Sequence, residues 1–144
     1  MSQAHILLVD DCKQWRERLR SMLEAIPGYR VIAEAGDGLE AIQKASQLHP
    51  EIVLLDIGMP KLNGIDAASR IRRASPCSKI VFVTQENDCD LRAAAFATGA
   101  EGYCLKSTVV SELIPAMNAV RHATATGDFL YSNDSHEACA LPRD

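Results

Sequence analysis

The sequence predicts an α/β domain: a parallel five-stranded sheet with helices packed on both faces. Five short apolar runs alternate along the chain with segments whose apolar residues recur at helical spacing. The clearest run, Ile52–Leu55, contains only apolar residues, which is typical of a strand buried on both faces of a parallel sheet. Strands that alternate with helices at this spacing run parallel and are joined by right-handed crossovers. We therefore expect a three-layer fold with the sheet in the middle.

Length and composition allow one domain and argue against several classes of function. The 144 residues, of which 47% are hydrophobic, suffice for one core. The net charge of −4 gives no reason to expect nucleic-acid binding by this chain alone. No apolar stretch is long enough to span a bilayer, and the first residues lack the pattern of a secretory signal. We therefore expect a cytoplasmic protein with no membrane partner.

The cysteines are scattered along the chain without a Cys-x-x-Cys pair. Their odd number and wide spacing favour reduced thiols over a disulfide framework or a zinc site. They are Cys12, Cys77, Cys89, Cys104 and Cys139.

The first half of the chain contains three predicted strands and two helices. A strand at residues 5–9 precedes a helix whose apolar residues form one stripe. The stripe consists of Trp15, Leu19, Met22, Leu23 and Ile26. A second strand at 30–35 and a helix at 39–48 follow, and Pro50 separates this helix from the central strand.

The second half continues the alternation. A third helix, with Ile71 on its apolar face, ends near Ser75, and a fourth strand follows at residues 79–83. Asp88 is a candidate N-cap for a helix at 89–98, and residues 102–105 form a brief fifth strand. The last helix, predicted at 110–126, contains Pro115, at which we expect a bend.

Polar residues follow four of the five predicted strands. In the flavodoxin-like strand order 2-1-3-4-5, the carboxyl ends of these strands line one crevice. The residues there are Asp10, Asp11, Asp56, Thr84 and Lys106. Neighbouring carboxylates repel one another, so the cluster needs a cation, and oxygen ligands with open water positions suit Mg²⁺. A lysine and a hydroxyl beside a carboxylate nucleophile are the groups needed for phosphoryl transfer onto Asp56.

Four motifs at these strand ends carry a family resemblance. They are Val-Asp-Asp at 9–11, Leu-Leu-Asp-Ile-x-Met-Pro-x-x-Asn-Gly at 54–64, Val-Thr at 83–84 and Gly-Tyr-x-Leu-Lys at 102–106. Together they make residues 5–126 resemble the receiver domain of two-component response regulators, with its CheY-like (βα)5 fold. The resemblance implies that Asp56 is the phospho-acceptor. It further implies that Asp10, Asp11 and Asp56 hold Mg²⁺ together with the backbone carbonyl of Gly58.

The resemblance also implies a conformational switch and a partner. Lys106 would pair with the phosphoryl group, Thr84 would move towards it, and Tyr103 would turn inward with Thr84. The phosphate donor would be a sensor histidine kinase or a phosphotransfer protein, and the family's output surface would span residues 89–126, where a homodimer could form. Such a domain is a signalling module that catalyses only its own phosphorylation and dephosphorylation, not an enzyme with a separate substrate.

Several departures from the family pattern are informative. Ser107 follows Lys106 where many receivers have proline, and with the segment 127–132 it resembles regulators of the nitrate-response, helix-turn-helix type. We expect a receiver domain at 1–127 and a tail or linker at 128–144, with no output domain present. Whether the chain stands alone or is a part of a longer regulator stays open.

Two positions are expected to control access to Asp56. Gln85 is larger than the residue usual after the switch threonine and would narrow the approach, whereas Gly58 would widen it. We expect small phosphodonors to react slowly while a kinase histidine remains competent.

Two other functions fit the sequence less well. A receiver-like adaptor that works without phosphate is disfavoured by the complete acidic cluster. A phosphatase of the haloacid-dehalogenase type would need a second aspartate two residues after the nucleophile, and Gly58 stands there.

Overall fold

The computed structural model describes residues 3–126 and has the predicted architecture. The strands are β1 (Ala4–Val9), β2 (Tyr29–Ala35), β3 (Ile52–Leu55), β4 (Lys79–Thr84) and β5 (Gly102–Leu105). The helices are α1 (Lys13–Glu24), α2 (Gly38–Leu48), α3 (Gly64–Ala74), α4 (Cys89–Ala97) and α5 (Val109–Thr126). All strand pairs are parallel, in the order β2-β1-β3-β4-β5. The predicted flavodoxin-like topology is confirmed.

Two apolar cores lie on opposite faces of the sheet. Because successive side chains in a strand point to opposite faces, Val53 and Leu55 pack in one core and Ile52 and Leu54 in the other. The first core includes side chains from α2, α3 and α4, and the second includes side chains from α1 and α5. Burial on both faces explains why the central strand contains no polar residue.

Side-chain caps fix three of the helix starts. Asp37 accepts a hydrogen bond from the Glu40 amide at 2.8 Å at the start of α2, and Asn63 accepts one from the Asp66 amide at 3.0 Å at the start of α3. Asp88 caps α4, as predicted, by accepting from the Asp90 amide at 2.7 Å. These caps satisfy amides that have no partner within the helix.

The element ends differ from the predictions by one residue or two. The second strand starts at Tyr29, which pairs with Ala4 of β1. A short 3₁₀ turn, Lys106–Thr108, follows β5 and precedes α5, which starts at Val109 and continues through Pro115. The bend at Pro115 stays a prediction, and the predicted tail at 128–144 lies outside the described residues.

The cysteine prediction is wrong at one position. Cys12, Cys77 and Cys104 are free thiols, whereas Cys89, at the first turn of α4, is disulfide-bonded. Cys139 lies outside the described residues. Within residues 3–126, no helix is both long enough and apolar enough to cross a bilayer.

Candidate functional site

The three aspartates of the sequence prediction meet at the carboxyl edge of the sheet. Val9 of β1 lies opposite Leu55 of β3, so Asp10 and Asp56 follow neighbouring strands in register. The Asp56 amide donates to the Val9 carbonyl at 3.0 Å, which extends the sheet pairing to the aspartate itself. One carboxylate oxygen from each of Asp10, Asp11 and Asp56 lies within 4.8 Å of the others. Asp10 and Asp56 are buried and Asp11 is exposed, so the cluster opens to solvent on one side.

Lys106 reaches this cluster from the end of β5, which is separated from β3 by β4. Its Nζ atom lies 2.7 Å from Asp10 Oδ2 and 3.3 Å from Asp56 Oδ2. Burial alone would lower the pKa of Lys106, but the two carboxylates outweigh burial and raise it, so the side chain is an ammonium at neutral pH. Burial raises the pKa of Asp10, and the hydrogen bond with Lys106 opposes that rise.

The backbone beside Asp56 is held by close packing against Gly64. The Ile57 amide donates to Asp56 Oδ1 at 2.8 Å, and the Gly64 amide donates to the Ile57 carbonyl at 2.7 Å. A Cβ atom on Gly64 would overlap the backbone carbonyl oxygen of Asp56. Only glycine therefore lets the start of α3 approach the acceptor residue this closely.

The donor set fits a magnesium ion. The three aspartates supply hard oxygen ligands, which Mg²⁺ prefers, and the open side of the cluster leaves room for the waters that Mg²⁺ keeps. Three acidic side chains beside one ammonium favour the binding of a divalent cation. Gly58 is exposed two residues after Asp56, and its role as a carbonyl ligand stays a prediction.

Thr84 and Tyr103 both contact the segment after β4. The fully buried Thr84 accepts a hydrogen bond from the Glu86 amide at 3.3 Å through Oγ1. Tyr103 is buried, and its hydroxyl donates to the Glu86 carbonyl at 2.8 Å, so one residue joins both side chains. Burial raises the pKa of Tyr103 to about 12. The Arg92 guanidinium lies 4.5 Å from the centre of the Tyr103 ring.

Three residues beside the site were not predicted as part of it. Arg16 donates to the backbone carbonyl of Asp10 and, through Nε, to Glu34 at 2.8 Å, which links the ends of β1 and β2. Trp15 places its ring 5.0 Å from Lys106 Nζ. Glu86 has its carboxylate beside position 58: a Cβ atom on Gly58 would lie 4.0 Å from Glu86 Oε2. Only Arg16 carries a local signal, since an arginine one helical turn into α1 can reach back to the end of β1.

An aspartate cluster with a lysine, at the switch point of a parallel (βα)5 sheet, defines the class of receiver domains. Residues 6–118 match the family model of the response regulator receiver domain. The chain therefore belongs to the receiver domain family of two-component response regulators.

The relatives that the chain matches include response regulators and transcriptional regulatory proteins. The chain is 32% identical over 129 residues to the nitrate/nitrite response regulator NarL of Escherichia coli, covering 90% of this chain and 58% of NarL. It is 38% identical over 115 residues to the transcriptional regulatory protein LnrK of Bacillus subtilis, covering 80% of this chain and 52% of LnrK. It thus spans about half the length of these relatives.

A solved structure gives the same assignment. A two-component response regulator of the LuxR family from Aurantimonas sp. SI85-9A1 superposes with a TM-score of 0.81 at 36% identity, covering 92% of each chain.

Proposed function

We propose that Asp56 accepts a phosphoryl group from a sensor histidine kinase or a phosphotransfer protein in a reaction that depends on Mg²⁺. The observation that carries the proposal is the convergence of Asp10, Asp11 and Asp56 within 4.8 Å, with Lys106 3.3 Å from the acceptor. The proposed module acts in the cytoplasm and has no separate substrate.

The chemistry is a transfer from nitrogen to oxygen. A carboxylate oxygen of Asp56 attacks the phosphorus of a phosphohistidine, so that an O–P bond forms while the N–P bond breaks. The electron pair of the broken bond stays on the imidazole nitrogen, which takes a proton from solvent. Lys106 is positioned to bind an oxygen of the transferred group. Bound Mg²⁺ would supply charge neutralisation for the phosphoryl oxygens.

Contacts of the phosphoryl group with Lys106 and Thr84 would change the conformation of the neighbouring segment. The Thr84 hydroxyl accepts a hydrogen bond from the Glu86 amide. A phosphoryl oxygen on Asp56 would attract this hydroxyl and so draw it away from the Glu86 amide. Tyr103 donates to the carbonyl of the same residue, so a shift of Glu86 would change the Tyr103 environment. We propose that phosphorylation shifts a pre-existing equilibrium between two arrangements of this segment.

The output of that shift would appear on the surface formed by α4, β5 and α5. Val110, in the first turn of α5, lies on this surface and is 70% exposed. We propose that this surface contacts a second copy of the chain or an output domain. The names of the relatives make transcription regulation the proposed output, exerted through a domain other than this one.

The experiment is an intact-mass measurement after incubation with Mg²⁺ and acetyl phosphate. We expect the mass to increase by one phosphoryl group and a chelator to prevent the increase. Beryllium fluoride with Mg²⁺ tests the same site without requiring the small donor to react, and it should raise the melting temperature. If neither the mass nor the melting temperature changes, the proposal is wrong and a phosphate-independent adaptor is the better reading.

Charge and bulk at the mouth of the site give a separate prediction. Removing the Glu86 carboxylate should speed the reaction with anionic acetyl phosphate by roughly two- to fivefold at low salt, because the carboxylate repels the donor. We expect the gain in Glu86→Gln to shrink in high salt, which screens exposed charges. Gln85→Ala should also speed the reaction, but equally at both salt concentrations, because it removes bulk and not charge. Unchanged rates in both variants would show that neither side chain limits access.

A further inference from the structure

Three groups among the described residues lie near the Lys106 ammonium. It lies 2.7 Å from Asp10, 3.3 Å from Asp56, and 5.0 Å from the centre of the Trp15 ring. Asp10 directly follows β1, and Trp15 lies in the first turn of the next helix, α1. The ion pair with Asp10 is the shorter of the two, and the aromatic ring adds an attraction that stabilises the ammonium in its present position.

No hydrogen bond of the indole fixes the position of Trp15. Its Nε1 atom is buried and has no partner among the described residues. The ring packs against the core that contains side chains from α1 and α5. Two cations lie near its face: Lys106, and Arg18, whose Cζ atom is 5.3 Å from the ring centre. Both cations lie within the distance at which the negative face of an indole attracts a positive charge. Apolar packing therefore holds the ring in place, and the ring in turn attracts the two cations.

We propose that Trp15 is a positioning residue that holds Lys106 on Asp10 and thereby weakens Mg²⁺ binding in the resting domain. This inference rests on the proposed function, in which Asp10 is a metal ligand. The Lys106 ammonium is paired with Asp10 and therefore competes with a metal ion for this carboxylate, so a metal ion that binds Asp10 must displace it. Trp15 makes the Lys106 ammonium harder to displace, because the ring stabilises it in its present position. Displaced from Asp10, Lys106 remains within reach of Asp56, where the phosphoryl group would form.

The consequence is a difference in Mg²⁺ affinity between variants, measured by titration calorimetry. Trp15→Leu keeps apolar bulk but removes the aromatic face, so Mg²⁺ should bind about two- to fivefold more tightly. Trp15→Phe retains a weaker aromatic face and should fall between the parent and Trp15→Leu. Arg18→Met is the matched control, since it removes the other cation on the ring and should leave Mg²⁺ affinity unchanged.

A double-mutant cycle separates this role from a merely structural one. In the Lys106→Met background, Trp15→Leu should no longer change Mg²⁺ affinity, because the ring then has no ammonium to hold. In the metal-free protein, Trp15→Leu should increase the unfolding equilibrium constant more in the Lys106 background than in Lys106→Met, by about two- to fivefold. Weaker or unchanged Mg²⁺ binding in Trp15→Leu, or equal effects in both backgrounds, would overturn the proposal. Absence of Mg²⁺ binding in the parent itself would instead refute the proposed function, and this inference with it.

Discussion

Asp56→Asn is expected to abolish the gain of one phosphoryl group. An amide oxygen is a far weaker nucleophile than a carboxylate, so the O–P bond cannot form at a useful rate. The substitution keeps the size of the side chain, and its oxygen can still accept from the Ile57 amide as Asp56 Oδ1 does at 2.8 Å. It also removes one of three clustered carboxylates, so the metal-free domain should be at least as stable as the parent. Intact mass after incubation with Mg²⁺ and acetyl phosphate measures the loss.

Asp66→Asn is the matched control for that loss. Asp66 is an exposed acid in the first turn of α3, and its side chain contacts only the cap residue Asn63 in the described hydrogen bonds. The control variant should gain the phosphoryl group at the parent's rate. Retention of the mass increase in Asp56→Asn would show that another carboxylate, such as Asp11, is the acceptor.

The fold could be predicted because its signals are local and repeated. The apolar run Ile52–Leu55 predicts a strand buried on both faces, and the structure places its side chains alternately in the two cores. Asp88 predicts a cap because a short polar side chain can accept from amides that a helix leaves free. Element ends were less predictable, since the start at Tyr29 depends on pairing with β1 rather than on the residue itself.

Part of the site could be predicted for a topological reason. Once the strands are parallel and ordered 2-1-3-4-5, their carboxyl ends must meet at one edge, which brings Asp56 and Lys106 together across 50 residues of sequence. The topology does not determine side-chain conformations, so it could not predict that Lys106 lies closer to Asp10 than to Asp56. The sequence predicts Trp15 only as an apolar residue of the α1 stripe. Its contact with Lys106 could not be predicted, because it arises only in the folded domain.

Contacts made by the backbone leave no sequence signal at all. Glu86 joins Thr84 and Tyr103 through its amide and its carbonyl, groups that almost every residue possesses. The disulfide at Cys89 was missed for a related reason, since an odd number of cysteines does not reveal which thiols come close in space.

Gly64→Ala is expected to lower the free energy of unfolding by about 3 kcal/mol, even though alanine is the better helix former. Helix propensity alone would favour alanine over glycine by up to about 1 kcal/mol inside a helix. The added methyl group, however, would overlap the Asp56 carbonyl oxygen, so the start of α3 must move away from the acceptor residue. Urea unfolding measures the loss, and the displaced Asp56 should also accept phosphate more slowly.

Gly58→Ala is the matched control, because the same methyl group there has space. Its Cβ atom would lie 4.0 Å from Glu86 Oε2, an ordinary contact with a side chain on the surface of the site. Its effect on the free energy of unfolding should stay within about 0.5 kcal/mol. Equal effects in both variants would mean that the close approach of Gly64 to Asp56 does not limit stability. A large loss confined to Gly64→Ala would show that the packing which positions the acceptor aspartate also stabilises the fold.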